Sequence, residues 1–184
     1  MRIAICGAHG TGKTTLAKQL AKELGLALIS GMAREAAKNL GYKNCEEIRW
    51  ASYRDKQDFQ MDTAALQLQQ EMTLCDGFVS DRSFLDISAY SKYYGLTSWD
   101  DGLITGYANA KYDVLLYCPI PDAKIANDNF RLLSNVSRRD VDRLILSLFI
   151  KTQCQRVILP KAFSPRLEVA LDFIENAKKE AACT

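Results

Sequence analysis

The chain has 184 residues, near the usual size of one domain, and its 24 Lys and Arg against 22 Asp and Glu leave a net charge of +2. That length supports a substantial core in a single domain, residues 1–184. The balanced charge excludes the strong basic footprint of a dedicated nucleic-acid or membrane-surface binder, while a local basic patch stays open. Six cysteines, Cys6, Cys45, Cys75, Cys118, Cys154 and Cys183, are scattered without a C-x-x-C pair, which reads as reduced core thiols and neither a zinc site nor a disulfide framework.

The first apolar run, Ile3-Ala4-Ile5-Cys6, starts directly after Met1-Arg2 and leaves no room for a signal peptide, and no stretch reaches membrane-span length. The expected location is the cytoplasm, or its equivalent in an infected cell. Immediately after this run comes Gly7-Ala8-His9-Gly10-Thr11-Gly12-Lys13-Thr14, a complete G-x-x-x-x-G-K-[ST] phosphate loop, and then a helical pattern over 15–24 closed by Gly25. Gly10 and Gly12 allow successive N–H groups to turn inward around a polyphosphate at a helix N-terminus, where the dipole favours negative charge. Lys13 is expected to reach the β- and γ-phosphates and the Thr14 hydroxyl to ligate Mg²⁺; Gly7, Thr11 and Thr15 complete the nucleotide-contacting set. The motif and its strand–helix context imply that the chain binds ATP.

Further strand-like runs are expected at 26–29, 77–80, 114–118 and 156–159, each separated from the last by helical patterns. This alternation predicts an α/β three-layer sandwich of the P-loop NTPase type, with a five-stranded parallel sheet and helices on both faces. Helices are expected over 33–40, ended by Gly41, over one or two segments of 45–74, over 84–94, over 100–110, over 137–155 and over 165–182. After the fourth strand, Pro119 and Pro121 take the chain out of the sheet. A polar segment bracketed by arginines then follows, and 121–139 reads as a short lid. No repeats or linker-like stretches mark a second domain.

Phosphoryl transfer depends on charge neutralisation and positioning, so its machinery is sought among Lys, Arg, Mg²⁺ ligands and an acceptor-orienting carboxylate. Asp81-Arg82 follows the third strand, at the sheet edge where the phosphate loop also opens. Asp81 there can hold Mg²⁺ or accept a proton, or it can simply cap the next helix; Arg82 can clamp a phosphate or stay solvated. Asp86 and Tyr90, four apart on that helix, share a face suited to an acceptor pocket, although Tyr90 is equally an ordinary half-buried aromatic. Arg34 can bind an acceptor phosphate or pair with a neighbour. In the lid, Arg131 is the candidate for stabilising transferring charge, with Arg138 and Arg139 as alternatives. His9, the one histidine, occupies a variable position of the loop and reads as pointing away from the phosphates.

Together, Gly7 to Thr14, Ala33-Arg34-Glu35, Asp81-Arg82-Ser83 with Asp86 and Ala89-Tyr90, and Asp128-Asn129-Phe130-Arg131 with Arg143 resemble the P-loop kinases that include the ribosylnicotinamide kinase domain and related phage-type nucleotide kinases. The Asp-Arg element is also similar to that of thymidylate kinases. The resemblance spans nearly the whole chain and includes the closing unit around Arg166, whose preceding loop packs against adenine in that family. It implies an ATP- and Mg²⁺-dependent kinase acting on a small nucleoside, nucleotide or related acceptor, without naming which. Gly31 stands where many relatives carry a glutamate, so Asp81 or Asp86 is expected to serve in its place. Two other readings stay open. One is a kinase acting on DNA or a modified base, which calls for a basic track; the other is a nucleotide-hydrolysing switch acting on a partner protein.

Overall fold

The computed structural model describes residues 1–44, 47–96, 99–122 and 135–182. Five strands, β1 (Arg2–Cys6), β2 (Ala27–Ile29), β3 (Phe78–Asp81), β4 (Val114–Tyr117) and β5 (Gln155–Ile158), pair in parallel in the order β2-β3-β1-β4-β5. All five expected strands are present, within a residue or two of their expected ends. The central strands are near-continuous apolar runs because both faces of a parallel sheet are covered. β4 is buried throughout, whereas the edge strand β5 exposes Gln155 and Arg156, polar positions that discourage a further strand from pairing.

Side chains on β1 alternate between the two faces with the two-residue period of a strand. Ile3 and Ile5 pack with Leu16, Ala17 and Leu20 of α1 (Lys13–Leu24) and with Ala170 and Ile174 of α8 (Arg166–Ala182). Ala4 and Cys6 face the opposite layer, made by α5 (Phe84–Tyr93), α6 (Asp101–Lys111) and α7 (Asn135–Phe149). A smaller cluster of Ala36, Ala37, Ile48 and Phe59 joins α2 (Met32–Asn39), α3 (Glu47–Trp50) and α4 (Tyr53–Thr73). Cys6 and Cys118 are buried free thiols, while Cys45 and Cys183 lie outside the described residues. Among the described residues, no helix is long and apolar enough to cross a membrane.

Two boundaries differ from the expected ones for identifiable reasons, while the one or two helices expected over 45–74 are two. The pattern over 45–74 divides at Ser52, whose side chain accepts the Asp55 N–H and starts α4 afresh. The helix expected over 137–155 stops at Phe149, since Thr152 bonds back to the Phe149 carbonyl and Asn109 of α6 accepts the N–H groups of Gln153 and Cys154. β3 runs on to Asp81, so that residue is the last of its strand and not the first of a loop. Positions 123–134, most of the expected lid and Arg131 with it, lie outside the described residues.

Candidate active site

The register of the sheet builds the site. β1 pairs directly with β3, Ile5 opposite Asp81, so the phosphate loop leaving β1 and the Asp-Arg pair ending β3 emerge side by side. There the Thr14 hydroxyl donates to Asp81 Oδ2 at 2.6 Å. A hydroxyl and a carboxylate in contact are hard oxygen donors, a set that suits Mg²⁺. No group of three or more His, Cys, Asp or Glu forms a denser metal cluster among the described residues.

Around the loop the backbone is tightly specified. Gly12 is the N-cap of α1 with φ 83°, and a Cβ there would lie 2.6 Å from the Phe163 ring; a Cβ on Gly7 would collide with the Cys118 carbonyl. Gly10 also has a positive φ, 68°. Lys13 is buried and donates from Nζ to the carbonyls of Gly7 and Ala8, each at 2.6 Å. Burial lowers its pKa, an effect countered chiefly by Asp86. Thr11 is buried and bonds the Ala8 carbonyl, whereas Thr15 lies exposed on the first turn of α1.

Side chains from three helices hold this loop. Asp86 Oδ1 accepts the Gly7 N–H at 3.2 Å, and Tyr90 of the same helix lies 3.1 Å from His9 Nδ1 through its hydroxyl. From α7, the Asp142 carboxylate faces the Ala8 amide and the Tyr117 hydroxyl. From α8, Arg166 donates to the Thr11 carbonyl and to those of Pro119, Pro160 and Lys161, while its guanidinium lies 4.8 Å from the Phe163 ring centroid. Asp142 and Phe163 carry no sequence signal for this place, because the loop residues they meet are distant in sequence. His9 turns inward toward Tyr90 and is only 6% exposed.

Asp86 departs from its expected role. It is fully buried, it accepts from both the amide and the hydroxyl of Ser83 in a capping box at the start of α5, and its other oxygen holds Gly7. Both oxygens thus accept hydrogen bonds from the chain itself. Burial pushes its carboxyl above the ordinary range, opposed mainly by Lys13 and Arg82. Tyr90 is likewise closed off, 8% exposed, its hydroxyl engaged by His9 and its ring carrying the Arg82 guanidinium 5.3 Å from the centroid, so it is no open stacking platform. Arg82 has φ 129°, the one positive value at a non-glycine position among the described residues. Arg34 stands exposed in the first turn of α2, beyond the carboxyl end of β2.

A family model described as an AAA domain matches residues 2–165. The chain belongs to the AAA-domain family. A cytidylate kinase from Pyrobaculum aerophilum is 36% identical to this AAA-domain chain over 67 residues, and the match covers 35% of the chain and 36% of that relative, about a third of its length. Among solved structures, the AAA-domain fold is similar to deoxyadenosine kinase from M. mycoides with dCMP and dCDP, with a TM-score of 0.68, 16% identity and coverage of 96% of this chain and 100% of that one. NadR protein in complex with NR gives a TM-score of 0.66 at 19% identity, covering 95% of this chain and 48% of that one. Shikimate kinase from Acinetobacter baumannii with shikimate gives 0.64 at 14% identity, covering 97% and 93%. The three-layer P-loop fold expected from sequence is therefore the one this AAA-domain chain adopts, and it is shared with kinases.

Proposed function

We propose that the chain is an ATP- and Mg²⁺-dependent kinase that transfers the γ-phosphoryl group to a hydroxyl or phosphate oxygen of a nucleoside, nucleotide or related small acceptor. The observation that carries this reading is the 2.6 Å contact between Thr14 and Asp81 beside the buried Lys13, which brings a carboxylate, a hydroxyl and an ammonium group to one sheet edge. Thr14 and Asp81 would hold Mg²⁺, which when bound neutralises phosphate charge. The engagement of Asp81 with Thr14 favours this metal-holding role over proton acceptance. Lys13 and backbone amides of the loop bind and orient the donor phosphates, and Arg82 clamps the moving phosphoryl group. Arg34 is the proposed contact for an acceptor phosphate. Arg131, outside the described residues, is the proposed lid arginine.

The names of similar proteins, cytidylate kinase and deoxyadenosine kinase among them, support a nucleoside or nucleotide acceptor. Net charge of +2 disfavours DNA as the acceptor. The AAA-domain description favours a second reading, ATP hydrolysis coupled to a partner protein. Labelled ATP offered with separate nucleosides, nucleoside monophosphates, nicotinamide riboside, shikimate and single-stranded DNA distinguishes them. Label on a nucleoside or nucleotide supports the proposal; label released only as inorganic phosphate favours the partner-coupled ATPase.

A further inference from the structure

Asp86 and Tyr90, one turn apart on α5, reach the phosphate loop from the same side, one at Gly7 and the other at His9. Tyr90 also carries the guanidinium of Arg82 over its ring. His9 and Tyr90 are 6% and 8% exposed, so their contact is shielded from competing water. Arg82 itself has a backbone conformation, φ 129°, that a non-glycine residue keeps only where its surroundings fix it. One tyrosine thus bonds the phosphate loop through its hydroxyl and holds the neighbouring arginine through its π-face.

We propose that Tyr90 is a positioning residue that couples Arg82 to His9, so that the phosphate clamp and the crown of the phosphate loop keep one mutual geometry during transfer. The role of Arg82 in this scheme rests on the kinase reading. Tyr90 contacts no acceptor; it acts through the two groups it holds. A ring that merely filled the core would affect stability when changed, but it would not couple position 9 to turnover.

The test uses the full chain with Tyr90→Phe, His9→Ala, His9→Asn and the His9→Ala/Tyr90→Phe double variant. Tyr90→Phe keeps the ring beneath Arg82 and removes only the hydroxyl. It is expected to lower kcat about 3–10-fold, the range of one lost hydrogen bond, with KM for ATP unchanged within about twofold. The double variant should be no slower than His9→Ala alone, and His9→Asn, whose amide can take up the Nδ1 contact, should recover most of the loss. Tyr90→Leu, which also removes the ring from Arg82, should fall further by about 2–30-fold. Multiplying losses in the double variant, or wild-type kcat in Tyr90→Phe, would overturn the inference.

A readout independent of any acceptor is available because His9 is the only histidine in the chain. Its ¹⁵N imidazole resonances in the ligand-free protein should move at Nδ1 in Tyr90→Phe, and an unmoved Nδ1 signal would overturn the inference on its own. ADP with aluminium fluoride, a mimic of the transferring phosphoryl group, separates the two levels of the account. If fluoride fails to tighten ADP binding in wild type and no acceptor is labelled, the kinase reading fails and the role of Arg82 goes with it. If an acceptor is labelled and fluoride tightens ADP binding equally in wild type and Tyr90→Phe, the kinase reading stands and the coupling is wrong; the expected outcome is a gain about 3–10-fold smaller in the variant.

Discussion

Two buried carboxylates serve opposite ends, and the contrast between them separates what holds the molecule together from what equips it to bind phosphate. Glu71, on α4, is 1% exposed and accepts hydrogen bonds from Gln67, Tyr107 and Tyr112, while its own backbone carbonyl takes Lys111. Gln67 in turn donates to Ser80, and Tyr112 reaches the first amide of α5, so this network ties α4, α6 and β3 into one block. Asp86 is equally buried but holds the amide of Gly7 within a loop whose neighbours are the cations Lys13 and Arg82. The side chains that donate to the Glu71 carboxylate are neutral, and the cation beside it, Lys111, bonds its backbone carbonyl. The donors around Asp86 belong to a structure that is shaped for an anionic ligand. A buried acid is therefore a guide to function when its partners are loop backbone and cations, and a guide to packing when they are side chains of the layers it joins.

The largest expected effect sharpens the functional side of this contrast. Lys13→Ala should lower kcat/KM by about 10³-fold, since it removes the charge proposed to bind the donor phosphates, while the loss of its bonds to the Gly7 and Ala8 carbonyls costs about 1–2 kcal/mol in unfolding. A variant with near-wild-type turnover breaks the assignment of the donor site. Glu71→Ala should do the reverse. Leaving three donors without their acceptor is expected to cost about 2–4 kcal/mol in denaturant unfolding, with kcat per folded molecule within about twofold of wild type. If it instead loses turnover without loss of stability, the two carboxylates do not divide as described.

Asp86→Asn is intermediate and mixes the two roles. The amide can still accept from Gly7, but its NH₂ faces the two Ser83 donors, so a loss of about 1–2 kcal/mol in unfolding should accompany a roughly tenfold drop in kcat. Loss of stability alone would make Asp86 a helix cap and nothing more. The smallest effect is a pH dependence. Burial raises the Glu71 carboxyl above its ordinary range despite its three hydrogen bonds. The folded state thus holds that proton more tightly than the unfolded chain does. The resulting stabilisation is complete below the ordinary carboxylate range and is lost as pH rises through the raised value. Glu71→Gln lacks this term, so its melting temperature relative to wild type should improve between mildly acidic and neutral pH; parallel curves would contradict the shift.

Much of this was legible in the sequence because it is local. The phosphate loop is eight consecutive residues, the five strands are short apolar runs, and Gly25 ends α1 as a left-handed C-cap. Even the capping contact of Asp86 left a trace, since Ser83-Phe84-Leu85-Asp86 has the spacing of a capping box. What escaped is long-range. Tyr90 lies 81 positions from His9, and Arg166 lies 155 from Thr11, and only the pairing of β1 with β3 and the packing of α5, α7 and α8 bring such residues to the loop. The early end of α7 escaped for the same reason, being set by Asn109 on another helix. Helical spacing put Asp86 and Tyr90 on one face correctly, but spacing carries no information on what that face meets.

In the proposed reaction, bound ATP gives its phosphoryl group to a small acceptor and not to water. Measuring ATP consumed and acceptor phosphorylated in the same reaction, across nucleosides and nucleoside monophosphates, tests it most directly. One acceptor is expected for which the two amounts agree, with little ATP consumed when that acceptor is left out. ATP hydrolysed at the same rate with or without every acceptor, and no phosphorylated product, would contradict it.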